Sequence, residues 1–207
     1  MFKVLVNYNF TPDPTWIGDD YVIYDRSDDG IGHLADFDQS KIIKTDNMGQ
    51  VDFDKLNYLI DNYDNLPDVF LWGKTNLFKY ITPEEYEAVK DNVVFTPLLT
   101  QGHKTYSDNN GQVNYYHAGM YYERADSWFF SHLSSKYVKN WSEWANLFML
   151  PSLSYIPFPP GGNYILTKEK VHKYGRDFYI KMAGLLPYVR ESAEAACAER
   201  SYYLLWQ

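Results

Sequence analysis

Cysteine is almost missing from this chain. Cys197 is the single example in 207 residues, which excludes an intrachain disulfide framework. A lone thiol reads first as a small buried apolar residue. No apolar run reaches the ~18 residues needed to span a bilayer. The opening "MFKVLVNYNF" is too short and too lightly charged for a signal peptide, so a cytoplasmic protein is expected. Clustered cations are scarce as well. The formal net charge is -8, with 27 acidic residues against 19 basic and no Lys/Arg-rich run. A nucleic-acid partner is not expected, because phosphate neutralisation needs clustered cations. Repeats, low-complexity segments and obvious linkers are also lacking.

What is plentiful is apolar and aromatic. The chain is 45% hydrophobic, enough for the core of one domain. It carries 20 Tyr, 12 Phe and 6 Trp. Such rings suit a packed core first and sugar stacking second. The first half, residues 1–100, alternates β-rich runs with helical patterns. "KVLVNY", "YVIYD", "KIIKT", "VFLWG" and "VVFTPLL" read as strands. "VDFDKLNYLIDNY" places Phe53, Leu56, Leu59, Ile60 and Tyr63 at helical spacing. "TPEEYEAVKD" opens with Thr82 as N-cap, Pro83 at N1 and Glu85 at N3. This alternation predicts an α/β domain whose central mixed, mostly parallel sheet is flanked by helices. Ligands then bind beyond the C-terminal ends of the strands.

The second half, residues 101–207, reads as an irregular lobe over those strand ends. "NNG" is a hairpin candidate. "SHLSSKYVKNWSEWANLFM", "TKEKVHKYGRDFYIKMAGLL" and "ESAEAACAERSYYLLW" read as helices, and "LPSLSYIPFPPGGNYIL" as a shaped loop leading to a strand. His103, His117 and His132 are not spaced like a metal site. The apolar close "SYYLLWQ" lacks a polar tail, and a piece of a longer protein is expected.

The second strand ends in "DRSDDG", a knot of charge. That strand tip, the order of elements and the late "PPGGNYILTKEKV" resemble the GT-A fold of nucleotide-diphospho-sugar transferases. "NMGQVDFDKLNYLIDNYDNLPDVFLWG" and "AERSYYLLW" resemble more closely a group of glycosyltransferase-like proteins of fungi and of large DNA viruses of green algae, in which such a domain stands N-terminal in a multidomain protein. The resemblance implies a UDP-sugar-dependent hexosyltransferase, moving glucose- or rhamnose-type sugars onto a glycan hydroxyl, in the host-cell cytoplasm if viral.

The resemblance also implies roles. Asn7, Tyr8, Asn9, Asp25, Arg26 and Asp28 would hold the nucleotide. A carboxylate accepts from ribose hydroxyls or a base N–H, and Arg26 suits the diphosphate. Trp72, Gly161, Gly162, Asn163 and Tyr164 would lie against the donor and acceptor sugars, the glycines allowing close backbone approach. Most GT-A enzymes place Asp-x-Asp after the strand corresponding to "VFLWG" to hold Mn2+ or Mg2+. Here "WGKTN" puts Lys74 in that place. The triplets Asp36-Phe37-Asp38 and Asp52-Phe53-Asp54 stand elsewhere. Two solutions stay open: a metal held by Asp28 and Asp29, or Lys74 acting as a point cation on phosphate. Glu199, with Glu194 and Asp38 behind it, is the candidate base that deprotonates the acceptor hydroxyl. Rival readings are a carbohydrate-binding module and a nucleotidyltransferase. The latter needs a Gly-rich loop after the first strand, and "NYNFTPDPTW" has no glycine.

Overall fold

The computed structural model describes residues 1–28, 32–100, 114–117, 119–125 and 128–207. The elements run β1 (Phe2–Asn7), α1 (Pro14–Ile17), β2 (Tyr21–Asp25), β3 (Ile42–Lys44), α2 (Gln50–Asp61), β4 (Val69–Lys74), α3 (Pro83–Val89), β5 (Thr96–Pro97), β6 (Tyr115–His117), β7 (Met120–Arg124), α4 (Trp128–His132), α5 (Trp141–Leu147), β8 (Tyr155–Phe158), β9 (Tyr164–Thr167), α6 (Lys168–Val171), α7 (Arg176–Ala183) and α8 (Ala193–Trp206).

The protein is a mixed α/β fold around a central mixed sheet of order β3-β2-β1-β4-β9-β5. β1 is a continuous apolar run because both its faces are covered: Val4, Leu5 and Val6 are all buried. It pairs in parallel with β2 and with β4, and β2 pairs in parallel with β3. β9 runs antiparallel between β4 and β5, so a strand from the second half completes the sheet begun by the first. A separate antiparallel sheet, β6-β7-β8, stands beside it. Val4, Leu56, Trp72, Tyr202 and Trp206 pack on one face. Leu5, Ile17, Ile23, Tyr86 and Leu98 pack on the other. Among the described residues no helix is long and apolar enough to cross a membrane.

Local chemistry explains the helix ends. Thr82 and Glu85 form the reciprocal capping box of α3. Ser192 caps α8 through the Ala195 N–H. Several expected elements are shorter. "VVFTPLL" contributes only Thr96–Pro97, on the sheet edge, where proline's missing N–H does no harm. "TKEKVHKYGRDFYIKMAGLL" divides into α6 and α7, with Gly175 as the N-cap of α7. "SHLSSKYVKNWSEWANLFM" divides into α4 and α5. Asn140 caps α5 through the Glu143 N–H, and short polar side chains of this kind compete with helix interior bonds. "NNG" at 109–111 and His103 lie outside the described residues.

Candidate functional site

The carboxylate that closes β2 is engaged inside the protein. Asp25 Oδ2 meets Lys44 Nζ at 2.7 Å. Its Oδ1 accepts from Asn7 Nδ2 at 3.2 Å and from the Ser27 N–H at 3.1 Å. Burial works against the charge, but Lys44, Ser27 and Asn7 hold the pKa below the usual carboxylate value. Asn7 is likewise committed, accepting from Thr75 Oγ1 at 2.5 Å. Asp25 and Asn7, expected to touch a nucleotide, clasp the ends of β1, β2 and β3 together. Asn9 sits in the left-handed region, φ 44, which asparagine tolerates. It exchanges two bonds with Asp28, Asn9 Nδ2 to Oδ2 at 2.7 Å and Asp28 N to Oδ1 at 3.0 Å. Asp29 lies outside the described residues.

Arg26 turns the other way. It is 2% exposed, with Nε 3.1 Å from Asp54 Oδ2, and it donates from Nη2 to the carbonyls of Asp46 and Met48. It thereby fixes the 46–48 segment. Burial outweighs the pull of Arg26 and Thr45 on Asp54 and pushes that carboxyl up to about 6. Asp54 also lines a 590 Å3 cavity with Ser27, Thr45 and Phe53.

Lys74 is the hinge of the site. It ends β4 and lines two cavities. One, of 180 Å3, includes Tyr8, Arg26 and Arg190. The other, of 430 Å3, includes Tyr121, Trp128, Gly161, Glu199 and Arg200. Its backbone N–H donates to Asn163 Oδ1 at 2.8 Å. Gly73 and Gly161 make that approach possible. A Cβ at Gly73 would lie 2.8 Å from Asn163 Oδ1, and one at Gly161, φ +89, would lie 2.7 Å from the Tyr80 ring. Burial opposes the Lys74 charge, yet Glu199, Tyr80 and Asp52 outweigh it and hold the pKa above the ordinary lysine value.

Glu199 reaches this cavity from α8. Oε1 accepts the Gly161 N–H at 2.8 Å and Oε2 lies 3.4 Å from Arg200 Nη1. Beneath the Gly161–Gly162 turn lies a second layer. Lys55 Nζ, fully buried, donates to the Gly162 carbonyl at 2.6 Å. Burial drives the Lys55 pKa down and raises that of Asp52, each partly offset by the other. The Asp52 carboxylate and the Tyr202 hydroxyl face each other in this layer, whereas the Tyr164 hydroxyl and Asn163 Nδ2 are buried with no hydrogen-bond partner among the described residues. Such groups leave a demand for a partner unmet.

Several expected site residues lie elsewhere. Trp72 and Tyr164 are 0% exposed and cannot stack on a sugar. Trp72 donates from Nε1 to the Lys55 carbonyl and packs edge-on against Tyr202 and Trp206. Asp38 caps the turn before β3, accepting from Ser40 N at 3.0 Å and Oγ at 2.7 Å, at the opposite end of the parallel strands from Glu199. Glu194 is buried and accepts from the N–H groups of Lys136 and Tyr137. Sequence reasoning missed Lys55, Glu123, Arg190 and Arg200. Lys55 carried a signal, because it shares the inward stripe of α2 with Leu59, four residues on. Glu123 pairs with Arg200 and accepts Trp128 Nε1 at 3.2 Å. That pairing joins β7 to α8 and forms a polar floor among the aromatic walls.

No family model, curated protein or solved structure matches the chain. Function is therefore carried by the chain's own geometry. At the end of β4 a lysine stands, and Asn163 and Thr75 are bonded internally. Among the described residues no three His, Cys, Asp or Glu side chains converge as metal ligands.

Proposed function

We propose that this protein is a GT-A-type glycosyltransferase that moves a hexose or deoxyhexose from a UDP-sugar to a glycan hydroxyl. One observation carries the reading: a cation and a carboxylate, Lys74 and Glu199, line one cavity at the end of a central strand. The chemistry needs that pair. Negative charge develops on the departing β-phosphate, where Lys74 stabilises it. The acceptor hydroxyl loses its proton as it attacks the anomeric carbon, and Glu199 takes it through Oε2, the oxygen held only loosely by Arg200 at 3.4 Å. Gly161 brings backbone to the cavity wall, and the exposed ring of Trp128 offers a face for the acceptor sugar. The parallel order β3-β2-β1-β4, with cavities beyond the C-terminal ends, supports the GT-A reading.

The test is donor hydrolysis across UDP-, GDP- and TDP-sugars, with Mn2+ and in excess EDTA. Activity with a UDP-sugar is expected to survive EDTA. Glu199→Gln is expected to lower it roughly 10²–10⁴-fold, the usual share of general base catalysis. Lys74→Ala is expected to lower it about 10²–10³-fold. No turnover of any donor sinks the reading. The aromatic cavity by itself suits a second function, sugar binding without transfer, and that alternative predicts binding of glycans but no heat on titration with UDP.

A further inference from the structure

The smaller cavity beside Lys74 has a cationic lining that the acidic end of β2 does not explain. Its 180 Å3 are bounded by Tyr8, Arg26, Val51, Lys74, Arg190 and Glu191. Sites that take a whole ligand measure roughly 300–1,000 Å3. This one has room for phosphate groups and not for a complete nucleotide sugar.

Three features point at an anion. Arg26 is 2% exposed, and while its Nε and Nη2 are engaged, Nη1 is buried with no partner among the described residues. Arg190 stands over the Tyr8 ring at 4.8 Å and donates to its hydroxyl, which orients an exposed guanidinium toward the same space. The first turn of α2 has no side-chain cap. The Gln50 N–H is taken by the Arg190 carbonyl, whereas Val51 lines the cavity. A twelve-residue helix presents roughly half a positive charge at this end. The carboxylate of Asp52, in that same turn, is buried in the protein. Burial weighs against the Arg26 charge, Asp54 and Asp52 support it, and Arg190 adds repulsion. A bound anion would relieve that repulsion.

We infer that this cavity is a metal-independent cradle for the phosphate groups of a nucleoside diphosphate, with Arg26, Arg190, Lys74 and the α2 N-terminus standing where a divalent ion would otherwise be needed. The identity of the nucleotide rests on the glycosyltransferase reading; the anion site does not. Guanidinium forks bond two phosphate oxygens at once, and a lysine adds a point charge. Glu191, the carboxylate on the rim, disfavours anions that lack the charge to outweigh it.

The experiment is calorimetric titration of the full chain with inorganic pyrophosphate in excess EDTA, then with UDP, for the parent and Arg190→Ala. Arg190 is exposed, so this variant is expected to fold, which its melting curve checks. Pyrophosphate is expected to bind without metal, more weakly as salt rises. Arg190→Ala is expected to weaken it roughly tenfold or more, the scale of one charge-assisted hydrogen bond. Absence of binding in EDTA overturns the cradle, whether or not Mn2+ restores it. So does equal binding by parent and variant. If pyrophosphate binds and UDP binds no tighter, the cradle stands and the nucleotide reading falls. If UDP binds parent and Arg190→Ala alike in EDTA, the cradle falls and the nucleotide reading stands.

Discussion

A carboxylate's environment decides whether it meets a ligand or serves the fold, and two aspartates here make the point. Asp25 has each oxygen engaged, by Lys44 on one side and by Asn7 and Ser27 on the other. Asp25→Ala is expected to cost about 1–3 kcal/mol of stability while leaving UDP affinity nearly unchanged. Urea unfolding and calorimetry on the same samples separate the two effects. Asp54 behaves in the opposite sense. Its folded pKa, about 6, lies above the ordinary 3.8, so the native state binds the extra proton between those values. Its contribution to stability is present below about pH 3.8 and is lost as pH rises to about 6. Asp54→Asn should flatten the slope of unfolding free energy across that window, by up to about 3 kcal/mol in total. An unchanged slope in the variant would show that the proton resides elsewhere.

At the scale of elements, α8 does two jobs. Its aromatic face, with Tyr202 and Trp206, packs on Trp72 of β4. Its Glu199 and Arg200 reach the larger cavity. The Arg200–Glu123 pair is buried, both side chains 4% exposed, so removing one member leaves an unpaired charge. Arg200→Met is expected to cost about 3–5 kcal/mol, and Arg200→Met with Glu123→Gln markedly less. A double-mutant cycle by chemical denaturation measures the difference. Additive losses would mean that the two side chains do not support each other.

For the molecule as a whole, UDP binding should raise the melting temperature, by an amount equivalent to about 2.7 kcal/mol at a concentration 100 times the dissociation constant. A flat thermal shift with UDP, with and without Mn2+, argues against a nucleotide site. Much of the frame was legible in the sequence. "KVLV" is apolar throughout because β1 is covered on both faces, and the Thr82/Glu85 spacing announces α3 before any coordinates do. What escaped is non-local. Nothing near Tyr164 says that β9 will enter antiparallel beside β4, so Tyr164 reads as well for a sugar platform as for a core ring. Trp72 misled for the same reason: strand alternation cannot tell which face a distant helix will cover. Arg190 carries no local signal at all, since its partner Tyr8 is 182 residues away. The helix that carries Glu199 was legible in the sequence, but the bond from Glu199 to Gly161 was not.

The pairing of β4 with β9 also fixes when the site can exist. Lys74 is positioned by Asn163, 89 residues further along, and the turn at Gly162 is held by Lys55 across 107 residues. Closing loops of that length is slow compared with forming a helix. On the ribosome, the strands and helices of the first hundred residues emerge long before Asn163, Arg190 or Glu199 has been made. Until then the ends of β1 and β4 lack the partners that shape them, and the uncovered face of Trp72 is exposed to other chains. A nucleotide that binds only the finished site would thus act late in biosynthesis, capturing molecules whose last helix has docked.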